Sequence, residues 1–218
     1  MRYLALATDY DGTIADDGVV DKPTLAALER LRGGARRLIL VTGRDVADLQ
    51  QAMPRLELFD LVVAENGALL YDPANHEEQA LGDAPPAAFV ERLRELGVAP
   101  LWMGRVIVAT LGPNASKVLN AIHDLGLNLQ ITFNRSTIIV LPAGVTKASG
   151  LRGALAQLGL SPLNCIGVGD ARATRACGDE RGAFLDRRQG IRDRYRQPAK
   201  VKEGKVVLGI TDPDAIER

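Results

Sequence analysis

The sequence is poor in the residue types that mark several classes of protein. It has two cysteines, two histidines and one tryptophan in 218 residues, and aromatic residues make up only 4% of the chain. Cys165 and Cys177 fit no CxxC spacing, which favours a reduced, cytoplasmic setting over a disulfide framework. The N-terminal apolar stretch is too short for a signal peptide, and no apolar run approaches the ~20 residues of a membrane helix.

Net charge is also lacking. Lys+Arg and Asp+Glu number 27 each, so no overall field attracts an anionic polymer or surface, and we expect no nucleic-acid and no membrane partner. The sequence indicates no particular oligomeric state. One local exception is the stretch 172–202, which has eight Arg and two Lys against four acidic residues and little apolar periodicity. We interpret this stretch as a solvated surface.

Short apolar runs alternate with helical patterns in the first 70 residues. The predicted strands are residues 4–7, 37–41 and 61–64, and the predicted helices are residues 23–31 and 45–53. Continuously apolar strands separated by helices are typical of a parallel sheet that is covered on both faces. The sequence therefore predicts an α/β fold.

The pattern changes after residue 80. The segment Gly82-Asp83-Ala84-Pro85-Pro86 predicts a linker, because it is rich in residues that interrupt helices and strands. Beyond it we predict helices at 87–96 and 116–125, a strand at 106–110, and a hairpin that pairs 129–133 with 137–141. A helix at 149–158 and a strand at 164–168 resume the earlier pattern, and a final strand is predicted at 206–210. We therefore divide the chain into a core, residues 1–80 plus 145–218, and an α+β insertion, residues 81–144.

Polar side chains cluster where the predicted parallel strands end. Asp9 and Asp11 follow the first strand, and as residues i and i+2 they address one ligand if the strand frays beyond Ala7. The other strand ends carry Thr42-Gly43-Arg44, Glu65-Asn66-Gly67 and Gly169-Asp170. Ligands bind at this edge in open α/β sheets.

The residue types at this edge suit a metal and a phosphate group. Asp9, Asp11 and Asp170 offer hard oxygen ligands for Mg²⁺. Thr42 offers a hydroxyl group and Lys147 a compact cation, both suited to phosphate oxygens. Each signal alone has a structural explanation: the aspartates as turn or helix-cap residues, Lys147 as a solvated surface residue. Trp102 and Met103 either reach from the insertion to the substrate or pack in the core, and we expect the core.

The order of these motifs resembles that of the haloacid dehalogenase-like superfamily. Asp9-Tyr10-Asp11-Gly12-Thr13 is similar to its DxDGT signature, and Val41-Thr42-Gly43-Arg44 to its second motif. Gly144-Val145-Thr146-Lys147 resembles the third motif, and Gly167-Val168-Gly169-Asp170 the start of the fourth. Glu65-Asn66-Gly67-Ala68 is similar to a stretch of the Cof-type subgroup, which carries an α+β cap between motifs two and three. The resemblance implies a Rossmann-like doubly wound parallel sheet core with an inserted α+β cap domain.

The resemblance also implies a reaction, the hydrolysis of a small phosphorylated metabolite such as a sugar phosphate. Asp9 would be the nucleophile that forms an aspartyl-phosphate, and Asp11 would act as general acid and then as general base. The implied Mg²⁺ ligands are Asp9, the Asp11 backbone carbonyl and Asp170. The implied phosphate-binding residues are Thr42, Gly43 and Lys147, and the residues that line the entrance are Arg44 and Asn66.

The fourth motif departs from the family pattern. The family usually continues as GDxxND, whereas Asp170 is followed here by Ala171-Arg172-Ala173-Thr174, so the second carboxylate is missing. Two alternatives therefore stand beside the phosphatase: a catalytically impaired relative that binds phosphate or a protein partner, and a phosphomutase. We expect that the chain after about Asp170 has diverged sharply or results from a change of reading frame.

Overall fold

The computed structural model describes residues 3–134 and 136–169, and the backbone of two further strands at 183–186 and 190–192. In chain order, the first elements are β1 (Ala5–Asp9), β2 (Ala15–Asp16), β3 (Val19–Val20), α1 (Lys22–Gly33), β4 (Arg37–Val41), α2 (Val46–Ala52), β5 (Leu61–Ala64), β6 (Leu69–Asp72), β7 (Glu77–Ala80) and α3 (Ala87–Glu95). They are followed by β8 (Trp102–Met103), β9 (Val108–Leu111), α4 (Ala115–Asp124), β10 (Leu129–Asn134), β11 (Thr137–Pro142), α5 (Lys147–Gln157), β12 (Cys165–Gly169), β13 (Ala183–Asp186) and β14 (Gly190–Arg192).

The main sheet has eight strands in the order β14-β13-β12-β1-β4-β5-β6-β7. Neighbouring strands from β13 to β5 are parallel, which confirms the predicted α/β core. The strands β6, β7 and β14 extend the sheet with antiparallel pairing, which the sequence did not predict. β7 consists of four exposed residues, Glu-Glu-Gln-Ala, so it lacks the apolar alternation that marks a strand.

Helices cover both faces of the main sheet, as expected for a doubly wound fold. Leu38 and Leu40 of β4 pack in one apolar cluster with residues of α1 and α2. Ile39 and Val41 of the same strand pack in a second cluster with residues of α5. Alternate side chains of one strand are therefore buried on opposite faces, which explains the uninterrupted apolar run in the sequence.

The helix boundaries follow local capping signals. The Asp21 side chain accepts a hydrogen bond from the Thr24 amide at 2.8 Å and begins α1, with a proline in the first turn. Asp45 caps α2 in the same way through the Asp48 amide. Both caps lie where the sequence predicted the helices to begin, because an N-cap requires only residues that are close along the chain.

A second sheet is built from the chain between β7 and α5. Its four strands run antiparallel in the order β10-β11-β9-β8, and α3 and α4 pack on one face. The opposite face, which we call the inner face, packs through Ile139 and Leu141 against the core cluster beside α1 and α2. We call α3, α4 and β8–β11 the insert. These elements fall within the predicted segment 81–144, while the domain boundaries themselves stay a prediction.

Three expectations need correction or fall outside the described residues. β1 does not fray after Ala7, because its pairing with β4 continues to Asp9, which lies opposite Val41. Trp102 and Met103 are 48% and 52% exposed, so the expectation that they pack in the core was wrong. The strand predicted at 206–210 lies outside the described residues. In the described part of the chain, no helix has the length and apolar character to cross a membrane.

Close packing between α5 and the main sheet gives a test of the fold. A Cβ at Gly150 would lie 2.5 Å from Val63 Cγ1 and 2.7 Å from Gly67 Cα. We expect Gly150→Ala to lower the free energy of unfolding by about 1–3 kcal/mol, because the backbone of residue 67 cannot yield as a flexible side chain can. Urea denaturation of the purified variant measures this loss.

The matched control is Gly153→Ala in the same helix. Its nearest neighbour would be Leu81 Cδ1 at 3.5 Å, which is an ordinary contact. Alanine is a better helix former than glycine, so this variant should gain about 0.5–1 kcal/mol. A Gly150→Ala protein as stable as Gly153→Ala would contradict the described packing of α5.

Candidate functional site

An ion pair joins the first strand to the helix that follows the insert. Lys147 Nζ lies 2.9 Å from Asp9 Oδ1, and the two side chains are only 21% and 8% exposed. Lys147 is the first residue of α5, and the Thr146 hydroxyl caps this helix by accepting the Ser149 amide. The cap determines where the helix begins and thus directs the lysine towards the end of β1. The structure therefore brings these two predicted residues into direct contact.

The second carboxylate of the motif is held by an arginine. Arg44 donates to Asp11 through Nε at 2.9 Å and Nη2 at 2.7 Å, and to Asp48 through Nη1 at 2.9 Å. Hydrogen bonding to Asp11 is the main reason why the pKa of the Arg44 guanidinium lies above its ordinary value. A two-point contact of this kind fixes the orientation of the Asp11 carboxylate. Arg44, expected at the entrance, thus contacts the predicted acid/base directly.

Tyr10, between the two aspartates, points in the opposite direction and is completely buried. Its hydroxyl group lies 3.0 Å from both the Gly18 and the Ala52 carbonyl oxygens, and the Arg44 guanidinium lies 5.1 Å above its ring. Burial raises the pKa of the Tyr10 phenol. Tyr10 is thus anchored in the core, while Asp9 contacts Lys147 and Asp11 contacts Arg44.

The loop after β4 brings a buried hydroxyl and a close backbone approach. Thr42 is fully buried, and its Oγ1 accepts the Arg44 amide at 3.1 Å. Its own amide donates to the Val63 carbonyl oxygen at 2.8 Å. A Cβ at Gly43 would lie 3.0 Å from Asn66 Oδ1, so the absence of a side chain allows Asn66 to approach this loop. Three predicted residues, Thr42, Gly43 and Asn66, therefore lie together.

Two buried polar atoms at this edge have no hydrogen-bond partner among the described residues. They are Asn66 Nδ2 and Thr13 Oγ1. Buried polar groups in folded proteins nearly always have a partner, and an exception needs an explanation. Both atoms belong to motifs of the predicted site, and a polar ligand would supply the missing partner.

The insert contributes a residue that the sequence did not indicate. Asn134, at the end of β10, places its Nδ2 3.6 Å from the position of a Cβ on Gly43. Its neighbours on the inner face follow from strand pairing, because residues directly opposite in an antiparallel pair share a face. Thr137 pairs with Asn134, and Trp102 pairs with Ala109. The sequence predicted a hairpin with Asn134 beside its turn, but a hairpin pattern does not indicate which part of the protein the turn contacts.

Glu65 was also missed as a functional candidate. The sequence indicated it only as part of a polar turn and of a family motif, yet the residue is 1% exposed and its carboxylate accepts the Arg105 and Val106 amides of the insert. A buried glutamate is unusual unless it is paired or hydrogen-bonded. Its burial depends on the position of the insert, so no local pattern could reveal it.

The carboxyl edge of the sheet suits Mg²⁺ in its chemistry. Carboxylate and carbonyl oxygens are the preferred ligands, and Asp9 lies at the end of β1 beside β12, the strand that leads to Asp170. Because Arg44 binds both side-chain oxygens of Asp11, the main-chain carbonyl is the ligand that we expect from that residue. Asp170 lies outside the described residues, within which no three His, Cys, Asp or Glu side chains form a ligand cluster.

Comparison with known proteins points to one family. The profile of the haloacid dehalogenase-like hydrolases matches residues 6–93. A phosphoglycolate phosphatase of Haloarcula marismortui is 28% identical over 176 residues, which span 76% of each chain.

Solved structures show the same fold. A sugar phosphatase of haloacid dehalogenase subclass IIB superposes with a TM-score of 0.65 at 16% identity, covering 84% of this chain and 86% of the other. The sucrose-phosphatase of Synechocystis sp. PCC6803, determined with sucrose and phosphate, gives a TM-score of 0.62 at 16% identity, with coverage of 85% and 83%. At these identities the structural similarity establishes the architecture of this chain. It does not establish that the chain shares the function of those proteins.

The Asp9–Lys147 pair can be tested without any assay of activity. We expect Asp9→Asn, Lys147→Met and the double variant to show a coupling free energy of about 1–3 kcal/mol in urea denaturation, because both charges are largely removed from water. The exposed pair Glu29–Arg55, whose side chains are 45% and 44% exposed, serves as control and should show no measurable coupling. Additive effects of the Asp9 and Lys147 substitutions would show that the two side chains do not interact.

Proposed function

We propose that this chain, which belongs to the haloacid dehalogenase-like hydrolases, is a Mg²⁺-dependent phosphatase of a small phosphorylated metabolite. The observation that carries the proposal is the contact between Lys147 and Asp9 at 2.9 Å. It places a cation beside a carboxylate at the edge where parallel sheets bind ligands. Asp11 and the loop of Thr42 lie at the same edge, so one site would hold a nucleophile, an acid/base and phosphate ligands.

The reaction would proceed in two steps. An Asp9 oxygen would attack phosphorus and displace the alcohol, while Asp11, entering this step in its protonated form, would give its proton to the leaving oxygen. Asp11 then takes a proton from water, the resulting hydroxide attacks the aspartyl-phosphate, and inorganic phosphate leaves with the Asp9 carboxylate restored. Asp9 thus ends as a free carboxylate and Asp11 in its protonated form, as at the start of the reaction.

Most of the catalytic effect would come from position and charge, as in other phosphoryl transfers. Lys147 would neutralise the phosphoryl oxygens once substrate lies over Asp9. Arg44 would keep the Asp11 carboxylate oriented towards the leaving oxygen through its two hydrogen bonds. Mg²⁺, held by Asp9, the Asp11 carbonyl and Asp170, would supply further positive charge against the phosphate.

The insert would act as a cap that selects the leaving group. Its inner face presents Trp102, Thr132, Asn134 and Thr137, paired across the strands so that they share one side. These side chains offer an aromatic surface, hydroxyls and an amide. A neutral, polyhydroxylated leaving group matches this surface, so a sugar phosphate is the favoured substrate class.

A second candidate substrate is phosphoglycolate. It is favoured by the relatives named phosphoglycolate phosphatase, in Haloarcula marismortui and Halorubrum lacusprofundi, at 28% and 27% identity. Its leaving group carries a carboxylate, and recognition of a carboxylate generally needs a cation or several hydrogen-bond donors.

The central test is hydrolysis of p-nitrophenyl phosphate with and without Mg²⁺. We expect the wild type to release phosphate only with the metal, and Asp9→Asn to lower kcat by about 1,000-fold or more, since the nucleophile is removed. A thermal melt shows that the variant is folded. If the wild type releases no more phosphate than Asp9→Asn under all metal conditions, the proposed function is wrong.

The same assay addresses the catalytically impaired alternative, which is favoured by the missing carboxylate at Thr174. Thr174→Asp restores the family's pattern at this position. If weak metal binding limits turnover, this variant should be more active at low Mg²⁺ concentration, and the difference should shrink as the metal saturates. If Thr174→Asp depends on the Mg²⁺ concentration as the wild type does, residue 174 has no role in metal binding.

A panel of phosphate esters tests the substrate class. We expect kcat/KM for hexose phosphates to exceed that for phosphoglycolate by about tenfold or more, because the inner face offers neutral partners to the leaving group. The reverse ranking would favour phosphoglycolate. Release of free hexose and phosphate identifies a phosphatase, whereas an isomeric hexose phosphate would identify the phosphomutase alternative.

A further inference from the structure

The turn at residues 65–67 has an unusual backbone. Glu65, Asn66 and Gly67 have φ values of +50°, +57° and +101°, three successive residues in the left-handed region. Two of them carry side chains, for which this region is unfavourable. Such conformations persist where surrounding contacts impose them, and they are common at functional sites.

On one side, the turn is tied to the candidate phosphate-binding segments. The Glu65 amide donates to the Arg44 carbonyl oxygen at 3.0 Å, and the Asn66 amide donates to that of Thr42 at 3.1 Å. A Cβ at Gly67 would lie 2.0 Å from the Thr146 carbonyl oxygen and 2.8 Å from the Lys147 amide nitrogen. The turn therefore lies against both the loop after β4 and the start of α5.

On the other side, the turn holds the insert through a single buried carboxylate. Glu65 Oε1 accepts the Arg105 amide at 2.8 Å, and Oε2 accepts the Val106 amide at 2.9 Å. A Cβ at Gly104 would lie 2.7 Å from the Glu65 carboxyl carbon, so the loop between β8 and β9 fits closely around the carboxylate. Hydrogen bonds to an ionised group are among the stronger ones in proteins, and both oxygens are used here.

We propose that Glu65 is a positioning residue that sets the insert over the site. Its backbone is fixed by the segments expected to bind phosphate, and its side chain binds the loop 104–106 of the insert. Glu65 thereby helps to set the distance from the phosphate-binding residues to the inner face, together with the apolar packing of Ile139 and Leu141 on the core. This inference rests on the proposed function, since it assigns Glu65 a role in presenting the insert to the leaving group.

Two variants test the contact from opposite sides. Glu65→Gln keeps the shape but replaces one acceptor oxygen by an amide that cannot accept a backbone N–H. Gly104→Ala leaves Glu65 intact and displaces the loop. The control is Glu78→Gln, which removes the exposed ion pair of Glu78 with the Arg105 side chain at 2.7 Å and leaves the Glu65 carboxylate in place.

Hydrogen–deuterium exchange measures directly how well Glu65 protects the two insert amides that it binds. We expect the Arg105 and Val106 amides to exchange about tenfold faster or more in Glu65→Gln and Gly104→Ala, with β11 unchanged, since two hydrogen bonds to a charged group protect them. Glu78→Gln should exchange as the wild type does. Unchanged exchange at both amides in a folded Gly104→Ala variant would overturn the proposal, whatever the stability of Glu65→Gln.

Kinetics separates positioning from a purely structural role. We expect both variants to lower kcat/KM for a hexose phosphate by about tenfold or more, and that for acetyl phosphate by about threefold or less, because a small leaving group does not reach the insert. Equal losses for the two substrates would assign Glu65 to the stability of the core. Turnover by the wild type tests the proposed function. The ratio of kcat/KM between variant and wild type tests the positioning role of Glu65.

Discussion

The contact between Asp9 and Lys147 imposes a condition on the whole chain. The two residues are 138 positions apart, and the insert lies between them in sequence. For their side chains to meet at 2.9 Å, the chain must leave the sheet after β7, complete the insert and return with α5 against β4 and β5. The glycines at 67 and 150 permit this return, since a Cβ at either position would overlap neighbouring atoms. The close packing of α5 is thus a requirement of the site as well as of the core.

The segment Asp9-Tyr10-Asp11 also serves both the candidate site and the core. Alternating side chains place the two carboxylates towards the site and Tyr10 into the core, where its hydroxyl binds two carbonyl oxygens. Arg44 joins the two sides, because its guanidinium binds Asp11 and lies over the Tyr10 ring. One tripeptide therefore contributes both to catalysis, on the proposed function, and to the anchoring of the β2–β3 hairpin.

The sequence predicted the elements that depend on local or nearly local signals. β4 and β5 match the predicted strands residue for residue, and α1 and α2 begin within one residue of their predicted starts. The grouping of Asp9, Thr42 and Asn66 also followed, because parallel strands bring their carboxyl ends to one edge. Lys147 was assigned to this edge by its resemblance to the third family motif. The hairpin of β6 and β7 was not predicted, since β7 is polar and owes its place to pairing with β6.

By itself, the sequence determined the order of the parallel strands β1, β4, β5 and β12 and of the helices between them, the family motifs, and the edge of the sheet where the candidate site lies. These features follow from hydrophobic periodicity, capping residues and short motifs, all of which are local along the chain. The tertiary structure alone decided that Arg44 binds Asp11, that Asn134 reaches the loop of Gly43, and that Glu65 is buried beneath the insert. Each of these contacts joins segments that are distant in sequence, and those of Asn134 and Glu65 also depend on how the insert packs on the core.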